Sequence, residues 1–153
     1  MVIFQKRVAD LSELALDRFI ARARRAAGVK GLVNVLLTSS TEMKTLNRRF
    51  RGKEKATDVL SFPAEFDRHK HLAGEIAISA DIATRNAQVF GHSPANEVKI
   101  LVLHGVLHLR GYDHESDAEA ETMETLEAEI LAQLGIPNPY ADRDAGGNRE
   151  RID

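Results

Sequence analysis

Three histidines stand close together in the segment 98–115, VKILVLHGVLHLRGYDHE, and their spacing suits a metal site. His104 and His108 are four residues apart, so on a helix both imidazoles project from the same face. Gly111 favours a left-handed helix C-cap, and a chain reversal there returns His114 towards the other two rings. Three neutral nitrogen ligands with an open fourth position describe a catalytic zinc site. The spacing therefore predicts one zinc ion per chain.

The alternative interpretation is two core histidines, each satisfied by a hydrogen bond, followed by a loop histidine without a role. Burying an imidazole costs free energy unless the ring finds a partner. Half of the six histidines fall within these eleven positions, so the spacing favours metal binding. A second pair, His69 and His71, lies in a polar stretch. Most histidines in surface loops bind no metal, and we expect none there.

The histidine spacing, four residues and then six, matches the zinc-protease signature H-E-x-x-H-x-x-G-x-x-H, including its glycine. Where those proteases carry the general-base glutamate, this chain has Gly105, which holds no proton. Zinc alone can lower the pKa of a bound water to about 7. The missing carboxylate argues against peptide hydrolysis by the usual route. Phosphodiester cleavage instead needs cations near the scissile phosphate, and Arg51 is suitably placed in a basic segment.

The elements that must position these residues alternate between strands and helices. Runs of branched apolar residues predict strands at 2–8, 32–37, 59–62 and 74–79. Capping residues predict the starts of five helices, at Asp10, Ser39, Asp81, Ser93 and Ser116. Segments 51–58 and 64–72 are polar and are predicted loops. The result is an α+β fold, in which a small mixed β-sheet is packed with about five helices and a zincin-like metal site lies on a helix and the following turn.

Length and composition indicate one domain, which we place at residues 1–140. The chain has 153 residues, 43% of them hydrophobic and 29% charged, as in ordinary globular proteins. Residues 141–153 are polar and lack apolar anchors, so we expect a disordered tail. The absence of cysteine excludes disulfides and thiolate metal ligands. The N-terminus does not resemble a signal peptide and no apolar run is long enough to span a bilayer, so the sequence predicts a cytoplasmic protein.

The formal net charge of −2 conceals an uneven distribution. Between residues 44 and 55 one acidic residue stands among six basic ones: Lys44, Arg48, Arg49, Arg51, Lys53 and Lys55. Residues 111–140 contain no lysine or arginine and many carboxylates. Charge alone leaves two interpretations open for the basic segment, a phosphate-binding patch and a solvated helix end. We expect this segment to form the electropositive side of the cleft and the acidic last helix to face elsewhere.

Two blocks of the sequence resemble the YbeY family of bacterial metal-dependent endoribonucleases, also known as rRNA maturation factors. HGVLHLRGYDH, at 104–114, looks like the signature of that family. LNRRFRGKEKATDVLSFP, at 46–63, resembles its second conserved block, in which an arginine corresponding to Arg51 is functional. The stretches 74–79 and 117–131 also fit in order and spacing. The resemblance extends over most of the chain from about Leu32 to Tyr140.

The resemblance implies zinc on His104, His108 and His114, with Arg51 and His104 taking part in catalysis. It implies a zinc-dependent endoribonuclease specific for single-stranded RNA. It further implies work in small-subunit ribosomal RNA maturation and ribosome quality control, with the ribosome as a partner. Two alternatives stay open: a zinc peptidase-like hydrolase that lacks the usual glutamate base, and a non-catalytic ribosome-assembly factor with a structural metal.

Overall fold

The computed structural model describes residues 1–64, 71–113 and 115–140, and over these it contains four strands and five helices. The strands are β1 (Val2–Phe4), β2 (Leu32–Thr38), β3 (Val59–Pro63) and β4 (Leu72–Ser79). The helices are α1 (Glu13–Ala26), α2 (Ser40–Arg51), α3 (Ala80–Phe90), α4 (Pro94–Arg110) and α5 (Asp117–Leu134). The predicted fold class, a small mixed sheet packed with about five helices, is confirmed.

The four strands form one sheet in the order β1-β2-β4-β3. The pairs β1·β2 and β2·β4 are parallel, whereas β3 runs antiparallel to β4. Ile76 in β4 is flanked by Val35 on one side and Ser61 on the other. β3 is thus an edge strand, and its outer side is available to form the wall of a cleft.

Helices cover both faces of this sheet. Successive side chains of a strand point to opposite faces, and in β4 Ile76 belongs to the main core, which also contains the apolar residues of α4. Ala77, its neighbour, belongs to a smaller cluster with Met43 of α2 and Leu60 of β3. α4 and α2 therefore pack against opposite faces, and both reach the β3 edge.

The first strand is shorter than the predicted segment 2–8. Its last paired residue is Phe4, opposite Leu37. The amides of Gln5 and Lys6 both donate to the Leu37 carbonyl, at 2.9 and 3.2 Å, so the chain turns away from the sheet there. An apolar pattern at the sequence level does not reveal where the partner strand ends.

Two of the predicted helix caps were wrong by two residues. α1 is capped by Ser12, whose Oγ accepts from the amide of Ala15 at 3.1 Å, while Asp10 lies in a turn with φ of 60°. α3 is capped by Ser79, and Asp81 lies inside its first turn. In both cases a serine and an aspartate stand two residues apart and either can cap a helix. The other predicted caps are confirmed: Ser39, Ser93 and Ser116.

The observed loops differ from the predicted ones at their ends. Arg51 is the last residue of α2 and not the first residue of a loop, and β4 begins at Leu72. The predicted tail, 141–153, lies outside the described residues. No helix in the described part of the chain has the length and apolar character needed to cross a membrane.

Candidate active site

α4 carries the two histidines through the middle of the protein. Ser93 caps it, and Pro94 occupies its first turn, where the missing N–H costs nothing. Its apolar side chains are buried around most of the helix, Leu101, Leu103 and Leu107 completely. Packing therefore fixes the position of α4. The backbone positions of His104 and His108 are fixed with it.

His104 and His108 present their Nε2 atoms to one another. These atoms are 3.2 Å apart, and the ring centroids are 4.8 Å apart. Two nitrogens bound to one tetrahedral zinc at 2.0–2.1 Å lie about 3.3 Å from each other. The separation is compatible with a shared zinc ion, for which imidazole nitrogens are suitable ligands, and equally with a hydrogen bond in which one Nε2 donates to the other.

A buried carboxylate lies behind the first of these rings. Oε2 of Glu127, on α5, is 3.6 Å from Nδ1 of His104, and the Glu127 side chain is completely buried. Metal-ligating histidines commonly direct their second ring nitrogen at such a carboxylate, which fixes the tautomer and the ring orientation. The expectation that the acidic last helix faces away from the site was wrong for this residue.

The third predicted ligand, His114, lies outside the described residues. The chain does turn where predicted: Gly111 has φ of 112°, which favours glycine, and its amide donates to the His108 carbonyl at 3.0 Å. On either side of position 114, Asp113 and Glu115 line the same cleft as the two histidines. Within residues 1–64, 71–113 and 115–140, no group of three histidines and carboxylates forms a complete metal site.

A cleft of about 390 Å³ opens beside the histidines. One wall is α4, a second is β3, and a third is the end of α2 with the loop that follows it. Three of the six basic residues between 44 and 55 line it: Arg51, Lys53 and Lys55. The cleft therefore combines two imidazoles and two carboxylates with three cations on the α2 side, and those cations are suited to binding phosphate oxygens next to a metal ion.

Arg51 lies in this cleft with His104 and His108. Its guanidinium donates through Nη2 to the carbonyl of Ser61 in β3, at 3.4 Å. The side chain is otherwise exposed to solvent, so its remaining N–H groups can reach a bound anion. The structure thus brings Arg51 and the histidines together, and the catalytic role of Arg51 stays a prediction.

The basic loop is held by a buried asparagine that the sequence did not reveal. The side chain of Asn47, on α2, donates from Nδ2 to the carbonyl of Lys55 at 2.9 Å. The backbone carbonyl of Asn47 accepts from the amide of Lys53 at 3.3 Å. Asn47 is only 2% exposed. The sequence did contain one signal for its burial. Asn47 stands between Met43 and Phe50 on the apolar side of α2.

Gly105 is a point of close approach between α4 and the sheet. A Cβ atom at this position would lie 2.8 Å from Cδ1 and 3.0 Å from Cγ2 of Ile76. Its carbonyl also accepts a hydrogen bond from Oγ of Ser61, at 3.2 Å. A side chain at this position would require Ile76 to move, so close packing against the sheet favours glycine where zinc proteases carry a base glutamate.

The other histidines lie elsewhere. His71 is exposed, and its carbonyl accepts from the amide of Leu32 at the start of β2; His69 lies outside the described residues. His92 forms a buried contact with Glu97, at 2.8 Å, at the opposite end of α4 from the cleft.

Comparisons with known proteins agree on one family. The family model YbeY, described as Endoribonuclease YbeY, matches residues 2–135. The chain is 54% identical over 143 residues to an Endoribonuclease YbeY of Koribacter versatilis, which covers 94% of this chain and 91% of the relative. A Bradyrhizobium protein of the same name is 47% identical over 144 residues, covering 88% and 85%. The solution structure of TM1509 from Thermotoga maritima superposes with a TM-score of 0.57 at 29% identity, covering 97% of this chain and all of that one.

Proposed function

Since the chain belongs to the YbeY family, described as Endoribonuclease YbeY, we propose that it hydrolyses phosphodiester bonds within RNA strands in the cleft beside His104 and His108. Family membership confirms the prediction of an RNA-cleaving enzyme. The finer proposal is a zinc-dependent enzyme that acts on single-stranded RNA. Its work is maturation of small-subunit ribosomal RNA and ribosome quality control, with the ribosome as partner.

The observation that carries the metal-dependent part is the approach of the two Nε2 atoms to 3.2 Å at the wall of a basic cleft. His104 and His108 would hold zinc there, with His114 as the third ligand. A bound zinc would supply Lewis acidity and an activated nucleophile at neutral pH. This supply matters because Gly105 stands where a general-base glutamate would be.

The protein's own residues bind and orient the substrate. Arg51 offers a planar fork of donors that matches two phosphate oxygens, and its Nη2 donates to the Ser61 carbonyl, so the guanidinium is anchored to β3 beside the cleft. Lys53 and Lys55 add positive charge along the same wall of the cleft. The sugar-phosphate backbone of the RNA would lie along this wall. Charge developing on the phosphate in the transition state would be stabilised by these cations.

The peptidase alternative already assumes that the base glutamate is missing, so Gly105 does not decide against it. The relatives that the chain resembles are named as endoribonucleases, and this supports RNA cleavage over peptide hydrolysis. None of the contacts in the described residues favours a purely structural metal over a catalytic one, because both imidazoles line an open cleft.

The test is RNA cleavage by wild type and by His104→Ala prepared in the same way, since contaminating ribonuclease is the obvious artefact. We expect wild type to cleave a single-stranded oligoribonucleotide, to spare a duplex of the same sequence and casein, and to stop when a chelator is added. His104→Ala should be inactive, while His71→Ala, which changes an exposed histidine, should match wild type. Equal cleavage by all three proteins would refute the proposal.

The charge of the cleft gives an independent check. RNA affinity of metal-free protein should fall as salt rises, because each phosphate neutralised by Arg51, Lys53 or Lys55 releases counterions. An affinity that is the same at low and physiological ionic strength would contradict the placement of the RNA backbone along this wall.

A further inference from the structure

Phe50 is exposed where an aromatic side chain would usually be buried. It is 59% exposed, and among the described residues it is the one aromatic side chain in the set of exposed large hydrophobic residues. It belongs to the last turn of α2, directly before Arg51, which lines the cleft. An aromatic ring left in solvent, on the residue next to one that lines the cleft, is available for a ligand.

The ring is held in place by a second aromatic residue. Phe62 of β3 lies 5.3 Å from it, centroid to centroid, at an interplanar angle of 64°. The neighbours of Phe62 in the strand, Ser61 and Pro63, both line the cleft. Phe62 itself points to the other face of the strand, where it packs against the Met43, Leu60 and Ala77 cluster. The aromatic pair therefore lies beside the cleft residues, on the α2 side of the strand that forms a cleft wall.

Positive charge accompanies this pair on both sides in the sequence. The guanidinium carbon of Arg49 lies over the Phe50 ring, 5.5 Å from its centroid, and Arg51 follows within the cleft. A flat apolar surface beside cations is the combination that binds single-stranded nucleic acid, because bases stack on the rings while the cations contact phosphates. An uncharged apolar ligand would gain nothing from the flanking guanidinium groups, whereas a nucleic acid would.

We propose that Phe50, supported by Phe62, is a stacking site for one unpaired base of the RNA whose backbone lies along Arg51, Lys53 and Lys55. The inference rests on the proposed function and adds the contact that selects unpaired strands. A base inside a duplex has both faces covered by its neighbours, so it cannot stack on a protein ring without leaving the helix. The site takes any base, since every base has a π-face.

The experiment measures binding to metal-free protein, in chelator, so that it does not depend on cleavage. The probe is a short single-stranded oligoribonucleotide carrying 2-aminopurine, whose fluorescence is quenched by stacking. A second oligonucleotide of the same length contains abasic sites and keeps only the phosphates. Phe50→Ala should bind the first probe about tenfold more weakly, and without quenching, and should bind the abasic strand as wild type does.

Two further variants separate stacking from folding. Phe50→Tyr keeps a flat ring and should bind and quench like wild type, whereas Phe50→Leu keeps an apolar contact with Phe62 and should behave like Phe50→Ala. Val89→Ala, an exposed apolar residue on α3, is the matched control and should change neither probe. Thermal unfolding of each variant shows whether its fold is retained.

The inference is overturned if Phe50→Leu binds both probes as wild type does, or if Phe50→Ala weakens both probes equally. Failure of the proposed function has a different signature: wild-type protein loaded with zinc leaves RNA intact, while quenching by Phe50 persists in chelator. If wild type cleaves RNA but shows no quenching that depends on Phe50, the proposed function stands and the stacking site is refuted.

Discussion

Oε2 of Glu127 lies 3.6 Å from Nδ1 of His104, and the carboxylate that approaches the ring belongs to a different helix and is fully buried. This contact connects α5 to α4, the helix that forms one wall of the cleft. A carboxylate at Nδ1 favours the tautomer whose proton is on that nitrogen, which leaves Nε2 free of hydrogen and available to a metal ion. At 3.6 Å the two atoms are beyond hydrogen-bond distance, so we predict that Glu127 positions His104 through a contact that shortens when a metal ion is bound.

We predict that Glu127→Gln lowers zinc affinity by about 10- to 100-fold, the usual cost of removing such an outer contact. The amide keeps the size of the side chain but loses the charge that supports the ring. Competition with a chelating dye measures the affinity, and elemental analysis should show one zinc per wild-type chain. The control is Glu129→Gln, two residues along the same helix but exposed.

Equal zinc affinities for wild type, Glu127→Gln and Glu129→Gln would show that Glu127 plays no part in positioning. A wild-type stoichiometry of zero, with His108→Ala as stable as wild type, would remove the metal site altogether.

Arg51→Lys should reduce RNA cleavage by about tenfold or more, or about 1.4 kcal/mol in transition-state stabilisation. An ammonium is a point charge and cannot replace a planar fork of donors that contacts both the Ser61 carbonyl and a phosphate. Zinc content and thermal stability should not change, since the side chain is exposed. Single-turnover kinetics with saturating enzyme measure the chemical step.

Arg49→Lys is the matched control for this charge-preserving change. Arg49 is in the same basic segment but is not among the residues that line the cleft, and lysine keeps the cation beside Phe50, so the cleavage rate with saturating enzyme should change little. Equal effects of the two substitutions would mean that Arg51 contributes only to a diffuse basic patch.

Gly105→Ala should destabilise the fold by about 1 kcal/mol. The added methyl overlaps Ile76, and overpacking of this kind costs about 1–3 kcal/mol, which exceeds the gain of up to about 1 kcal/mol in helix propensity. Urea unfolding gives the free energies. Ile76→Val, which removes the Cδ1 atom nearest the new methyl, should cost less in the Gly105→Ala background than in wild type. Additive effects of the two changes would contradict a direct steric contact.

Asp81→Asn should lower the free energy of unfolding at neutral pH by about 1 kcal/mol. A hydrogen bond from Lys6, aided by one from the backbone amide of Ser40 at 2.8 Å, holds the pKa of Asp81 below its ordinary value of 3.8; burial acts weakly in the opposite direction. The ionised carboxylate thus stabilises the fold above the unfolded-state pKa. That contribution disappears as pH falls through the lowered folded-state pKa.

Urea unfolding of wild type and Asp81→Asn across the acidic range measures this dependence. The difference between them should be constant near neutral pH and should shrink from about one pH unit above the ordinary value of 3.8 downwards. Asp17→Asn, on the exposed face of α1, is the control and should leave the free energy of unfolding at neutral pH unchanged. A difference that grows towards acid would reverse the expected sign.

Local signals predicted much of the fold. Helix starts at Ser39, Ser93 and Ser116 and the end at Gly111 were read correctly because a cap depends on contacts within one turn. The strand order did not follow from the sequence. The antiparallel placement of β3 at the edge depends on which faces the helices cover, and no short segment encodes that.

The site divides in the same way. The spacing of His104 and His108 predicted that their rings converge because both lie on one helix. Glu127 could not be placed, since its contact joins residues distant in the chain. The available signal was a carboxylate between Met123 and Ile130, on the apolar stripe of α5, where a charged residue needs a buried partner.

The two sides of the cleft rest on cores of very different size. The histidines belong to a helix embedded in the main core, so their amides should exchange hydrogen only when the whole domain opens. On the opposite wall, α2 packs on a small cluster of Met43, Leu60 and Ala77. Its amides should exchange through smaller and more frequent openings than those of α4. The spacing of the two imidazoles is therefore set by the more stable of the two walls.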